Sequence, residues 1–107
     1  MARCIILPSI ATSIFADVSE VVLRVKKITF NELIETVRTC DTIINFNRHP
    51  PTNQLLAKHL MFVTGTEYKL NKDDRIFVIG LKARAPVSGQ DVQVTIDDLL
   101  ILAIDVL

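Results

Sequence analysis

Pro50-Pro51, near the middle of the chain, constrains the fold more than any other pair of residues. Proline fixes φ and has no backbone N–H, so it cannot continue a strand interior, yet it suits the first turn of a helix. The apolar, β-branched run Thr42 to Phe46 must therefore stop before it, and the Leu-rich segment from Pro51 to about Met61 starts a helix. At their junction, from Asn47 to Asn53, lies a polar corner carrying a histidine, an arginine and two asparagines. Unpaired backbone N–H groups at a helix start favour anions such as phosphate, so a functional site is expected at this corner.

The flanking segments supply the rest of an α/β domain. Cys4 to Leu7 is an apolar strand ended by Pro8, and Ser9 to Ser13 follows as a hydroxyl-rich loop. Val21 to Ile28 alternates apolar and basic residues as a half-buried strand near a sheet edge does. Thr29-Phe30-Asn31-Glu32 fits a capping box, with Phe30, Leu33, Ile34 and Val37 at helical spacing through about Arg38. In the helix after Pro51, Leu55, Leu56 and Leu60 form the buried stripe, and Lys58 and His59 fall near its end, where positive charge suits the dipole. Thr64 to Leu70 and Arg75 to Leu81 read as an antiparallel hairpin about the turn Asn71 to Asp74. A loop from Ala83 to Gln90, a short helix from Thr95 and an apolar strand from Ile101 to Leu107 complete the chain. This order predicts one α/β domain over residues 1–107, a mixed central sheet flanked by helices.

Composition bounds the partners. Twelve basic and twelve acidic residues give a net charge of zero, which argues against a chain-wide surface for duplex nucleic acid. Half the residues are hydrophobic and the mean hydropathy is +0.38, but charged residues and proline interrupt every apolar run, so no membrane span is expected. No signal-peptide core is present at the N-terminus, so a cytoplasmic location is expected, that of the host cell if the protein is viral. Cys4 and Cys40 lack metal-ligand spacing and read as buried free thiols. With no tryptophan and six aromatics, a base-stacking platform is not expected. A chain of this size is small for a deep pocket, and a site shared by two subunits would relieve that.

Taken alone, His49 reads equally as a loop histidine without a role. Its place at a strand end ahead of a helix is where open α/β sheets put ligands, and imidazole can give or take a proton near neutral pH. Arg84 and Arg48 read either as solvated loop charges or as phosphate clamps, since guanidinium matches phosphate oxygens with parallel hydrogen bonds. Ser9, Thr12 and Ser88 taken singly read as caps of helices or turns. There is no glycine-rich phosphate loop, no nucleophile elbow and no cluster at metal-ligand spacing, so no metal or other cofactor is expected.

Ser9-Ile10-Ala11-Thr12 follows the first strand, Arg48-His49-Pro50-Pro51-Thr52-Asn53 precedes a Leu-Leu helix, and Arg84 to Gly89 follows the strand ending at Leu81. In the order and spacing of these motifs the chain resembles the DUF1874 or B116-like family of archaeal viruses, phages and some bacteria. Its members include anti-CRISPR ring nucleases that destroy cyclic tetra-adenylate, the second messenger of type III CRISPR systems. The family carries an Asn-Ala-x-Ser-type loop, a Gly-His-x-x-Thr-Ala corner and an Arg-x-x-x-Glu-Gly loop. Thr12 stands where the family has its ligand-contacting serine, and His49, Thr52, Arg84 and Gly89 match. Arg48, Asn53 and Ser88 depart, Ser88 replacing the family's glutamate.

The resemblance implies a homodimer that holds a cyclic oligonucleotide between subunits and cleaves it without metal, leaving a 2′,3′-cyclic phosphate. His49 would be the general acid and Arg84 the stabiliser of phosphorane-like charge, both catalytic. Ser9, Thr12, Arg48, Thr52, Asn53 and Ser88 would line the ligand. Because a carboxylate near a histidine favours its protonated form, Ser88 in place of glutamate weakens the acid and leaves two alternatives open. One is a non-catalytic sponge for the cyclic nucleotide. The other is a structural viral accessory protein with no small ligand.

Overall fold

The computed structural model describes residues 2–9, 22–66, 73–82 and 94–107. The strands are β1 (Arg3–Leu7), β2 (Leu23–Ile28), β3 (Thr42–Asn45), β4 (Val63–Thr64), β5 (Arg75–Leu81) and β6 (Leu99–Val106), and the helices are α1 (Phe30–Val37) and α2 (Pro50–Ala57). The strands form a single mixed sheet in the order β2-β6-β5-β1-β3-β4. β5, β1, β3 and β4 run parallel, while β6 lies antiparallel to both β5 and β2. The expected α/β class is the observed one. Among the described residues no helix is long and apolar enough to cross a membrane.

β1 sits between β5 and β3, and its four apolar residues, Cys4 to Leu7, are all buried. That is the behaviour of a parallel strand covered on both faces, and it explains the unbroken apolar run in place of alternation. Cys4 and Ile6 face one way, where Leu33 and Val37 of α1 and Leu56 of α2 pack with Phe77, Ile79 and Ile101. Ile5 and Leu7 face the other way, into a second cluster with Ile76, Val78 and Ile104. Burial, and after it the neighbouring Cys40 thiol, pushes the Cys4 pKa well above the usual thiol range. At the start of the strand Arg3 donates to both carboxylate oxygens of Asp74, at 2.9 and 2.7 Å, tying β1 to the residue before β5.

Both helices start where the sequence signals. Thr29 Oγ1 accepts from the Glu32 amide at 3.1 Å, and Glu32 Oε1 accepts from the Thr29 amide at 3.2 Å, a closed capping box. α2 is shorter than its apolar spacing predicts. Its last turn tightens through Lys58 N–H to Leu55 O and His59 N–H to Leu56 O, which ends the regular helix while still burying Leu60. His59, expected near the helix end, is exposed and meets the Phe30 ring edge-on at 5.0 Å, joining the end of α2 to the start of α1.

The hairpin expected between Thr64–Leu70 and Arg75–Leu81 is not formed. Both edges of β5 are occupied, one by β1 and the other by β6, and Val63–Thr64 pairs parallel with Ile44–Asn45 at the far edge of the sheet. The segment is therefore the end of a β3–α2–β4 crossover and not one arm of a hairpin. Residues 67–72, the hydroxyl-rich stretch from position 10 and the loop from 83 to 93 lie outside the described residues. β2 is an edge strand, as expected, but among the described residues it is less buried than its alternation suggests, with Arg24, Val25, Lys26 and Lys27 all exposed, while the C-terminal strand β6 is paired on both sides. The short helix expected at Thr95 is a 3-10 turn, Ile96–Asp98, in which the Asp98 carboxylate accepts from the Thr95 amide at 2.9 Å.

Candidate functional site

The three buried polar residues among those described are Asn45, Asn47 and Thr52, and all belong to the corner between β3 and α2. The main chain leaves the ladder after Phe46, whose amide donates to Ile6 O at 2.8 Å. From there side chains take over the backbone's hydrogen bonds. Asn45 Oδ1 accepts from the Asn47 amide at 2.9 Å, and Asn47 Oδ1 accepts from the His49 amide at 2.8 Å, two successive Asx turns. Asn53 closes the circuit from the helix, its Nδ2 donating to Asn47 O at 2.8 Å while its Oδ1 accepts from Asn45 Nδ2 at 2.9 Å. Asn47 Nδ2 reaches Ile79 O on β5 at 3.0 Å, anchoring the corner across the sheet. No buried side-chain nitrogen or oxygen among the described residues lacks a partner.

This network holds His49 from three directions. Its amide is bound by Asn47, its carbonyl accepts from the Asn53 amide at 3.0 Å, and its ring Nδ1 lies 2.8 Å from Thr52 Oγ1. The backbone is extended at φ −83° and ψ 108°, as a residue preceding a helix should be. His49 as a residue is exposed, and its Nε2 makes no hydrogen bond among the described residues. His49 is thus a fixed imidazole with Nδ1 engaged by Thr52 and no partner for Nε2 among the described residues.

The helix start is a poorer anion cradle than the general rule suggests. Pro50 and Pro51 have no N–H, the His49 N–H is already taken, and the Asn53 N–H goes to His49 O. Thr52 supplies the first uncommitted main-chain donor, and it is only 1% exposed. An anion here would be bound chiefly by side chains, with exposed Arg48 beside His49 as the charged one.

The parallel register aligns several predicted residues. Ile6 is level with Asn45, so Ser9 and Arg48, each three residues further on, leave the sheet by the same edge. β5 runs parallel to β1 and ends on that edge at Leu81. Ser9, Arg48, His49, Thr52 and Asn53 are therefore brought to one end of the sheet, while Thr12, Arg84 and Ser88 lie outside the described residues. Compared with known proteins, the chain matches no family model and no curated sequence.

Sequence reasoning missed the positioning roles of Asn45 and Asn47. Their signal is the spacing Asn-x-Asn-x-His, since an asparagine carbonyl caps the amide two residues on. Among the described residues no group of three or more His, Cys, Asp or Glu is placed to hold a metal. A groove of about 920 Å³ lies at the opposite end of the sheet, between α1 and the β5–β6 strands, lined by residues including Lys26, Glu32, Arg75 and Asp105. Its mixed charges select no single ligand class, and we place the candidate chemistry at His49, where the geometry is specified by buried hydrogen bonds.

Proposed function

We propose that the protein is a ring-nuclease-like protein, acting as a homodimer, that binds and cleaves a cyclic oligonucleotide messenger such as cyclic tetra-adenylate without metal, countering type III CRISPR signalling. The observation that carries this reading is His49, held where parallel strands end, the edge at which open α/β sheets tend to take ligands, with Nδ1 engaged by Thr52 and no partner for Nε2 among the described residues. In the reaction a ribose 2′-hydroxyl gives its proton to water and attacks the adjacent phosphorus, the bond to the 5′-oxygen breaks, and His49 as imidazolium gives that oxygen its Nε2 proton. The products are a 2′,3′-cyclic phosphate and a 5′-hydroxyl. Arg84 stabilises the charge on the phosphorane, Arg48 draws the anion to the corner, Ser9 and Thr12 line the ligand by family resemblance, and Asn53 and Ser88 complete the lining at positions where the chain departs from the family.

Incubation with cyclic tetra-adenylate in EDTA, followed by chromatographic separation of the products, tests the proposal. Cleavage that falls by at least 100-fold in His49→Ala supports it, an effect within the range a positioned acid contributes, about 10²–10⁴-fold. Retention of the intact ring by the protein replaces it with the sponge reading. Failure to bind any cyclic oligonucleotide overturns both.

A further inference from the structure

We infer that Thr52 is a positioning residue that locks the neutral His49 ring in the tautomer with hydrogen on Nε2, so that the outward nitrogen always presents a donor to an acceptor oxygen of the ligand. The argument is one of hydrogen-bond supply. The Thr52 side chain is 1% exposed, and His49 Nδ1, at 2.8 Å, is its hydrogen-bond partner among the described residues. A hydroxyl has one proton to give, and a neutral imidazole has one nitrogen that donates and one that accepts. If Nδ1 carried the ring hydrogen, it would donate to Oγ1 and leave the buried hydroxyl proton without an acceptor. With the hydrogen on Nε2, the hydroxyl donates to Nδ1 and every buried group is satisfied. Nε2, on an exposed residue and without a partner among the described residues, can be served by water in either state, so it does not offset the difference.

The consequence concerns recognition. In the neutral ring Nε2 carries hydrogen because of Thr52, and in the protonated ring both nitrogens carry it. His49 therefore offers a donor on both sides of its titration, and the matching group is an anionic oxygen, here a phosphodiester oxygen. That identification of the oxygen rests on the function proposed above, whereas the tautomer does not. A ring in the other tautomer would aim a lone pair at the phosphate and could not bind it.

Nitrogen-15 NMR of the His49 ring, recorded at a pH where the ring is neutral, tests the lock directly. The wild-type protein should show protonated Nε2 and bare Nδ1, with no second form. Thr52→Val, equal in shape but without the hydroxyl, should show both tautomers in exchange, and Thr52→Ser should restore the single form. A mixture or an Nδ1–H ring in the wild type overturns the inference, as does a Thr52→Val protein that folds and keeps the single tautomer. Since apparent affinity scales with the competent fraction, affinity of the neutral-ring protein for cyclic tetra-adenylate should fall by about twofold in Thr52→Val if the tautomers equalise. Should cyclic tetra-adenylate not bind the wild type at all, the function reading fails, and the NMR result still decides the role of Thr52.

Discussion

Asn47 does more at the corner than any other single residue. It is 6% exposed, and each of its polar groups is committed: the amide to Asn45 Oδ1, the carbonyl to Asn53, and the side chain to the His49 amide and to Ile79 O. Asn47→Ala would strand the Ile79 carbonyl in the interior and leave the His49 amide without its acceptor. Leaving a buried polar group unmade costs about 1–3 kcal/mol, so a loss of about 2–4 kcal/mol is expected, read as a lower urea midpoint at unchanged m-value. The His49 ring signals should broaden or shift in the same variant, because its main chain would no longer be held. Part of this site was legible in the sequence: the two prolines placed the helix start, and His49, Thr52 and Asn53 were recognised around it. The bond from Asn47 to β5 was not, because it joins residues that only the sheet brings together.

At the scale of elements, local signals were reliable where they specify conformation and failed where they had to choose a neighbour. The capping box at Thr29 and the strand breaking at Pro50 act within a few residues and hold in the structure. The alternation after Thr64 could not tell a hairpin arm from the end of a parallel crossover, since both are extended chain. Gly65 marks what was overlooked. Its amide donates to Asn45 O at 3.0 Å, and a Cβ there would sit 2.5 Å from the Phe46 ring and 2.7 Å from Ile44 Cγ2. The chain can lie beside β3 only because this residue has no side chain. Gly65→Ala should cost about 1–3 kcal/mol through overpacking, measured by chemical denaturation. Combining it with Phe46→Leu should recover part of the loss, since the smaller side chain frees the space the ring occupied. A double variant no more stable than the sum of its single effects would place the strain at Ile44 instead.

For the whole molecule, the α/β class was legible because strand and helix signals alternate along the chain, but the sheet order was not. β6 inserts between β2 and β5 through pairings between residues far apart in sequence, and nothing local in Leu99–Val106 names its partners. The result puts β1 at the interior of the sheet, with Cys4 fully buried under the helices and its thiol pKa raised, chiefly by burial. This has a consequence for the stability of the entire fold. In the unfolded chain Cys4 ionises around its ordinary value of 9.0, while in the folded chain it stays protonated well above that. Above this pH the unfolded state binds fewer protons than the folded one, so the free energy of unfolding declines as pH rises, and the contribution present below pH 9.0 is progressively lost. One such group contributes at most about 1.4 kcal/mol per pH unit. Urea unfolding between pH 8 and 11 should show this decline in the wild type, superimposed on that of other alkaline groups. Cys4→Ala should be less stable at neutral pH, because it opens a cavity in the core, and yet lose stability less steeply on the alkaline side. Parallel slopes in the two proteins would mean that the Cys4 thiolate is accommodated in the native sheet.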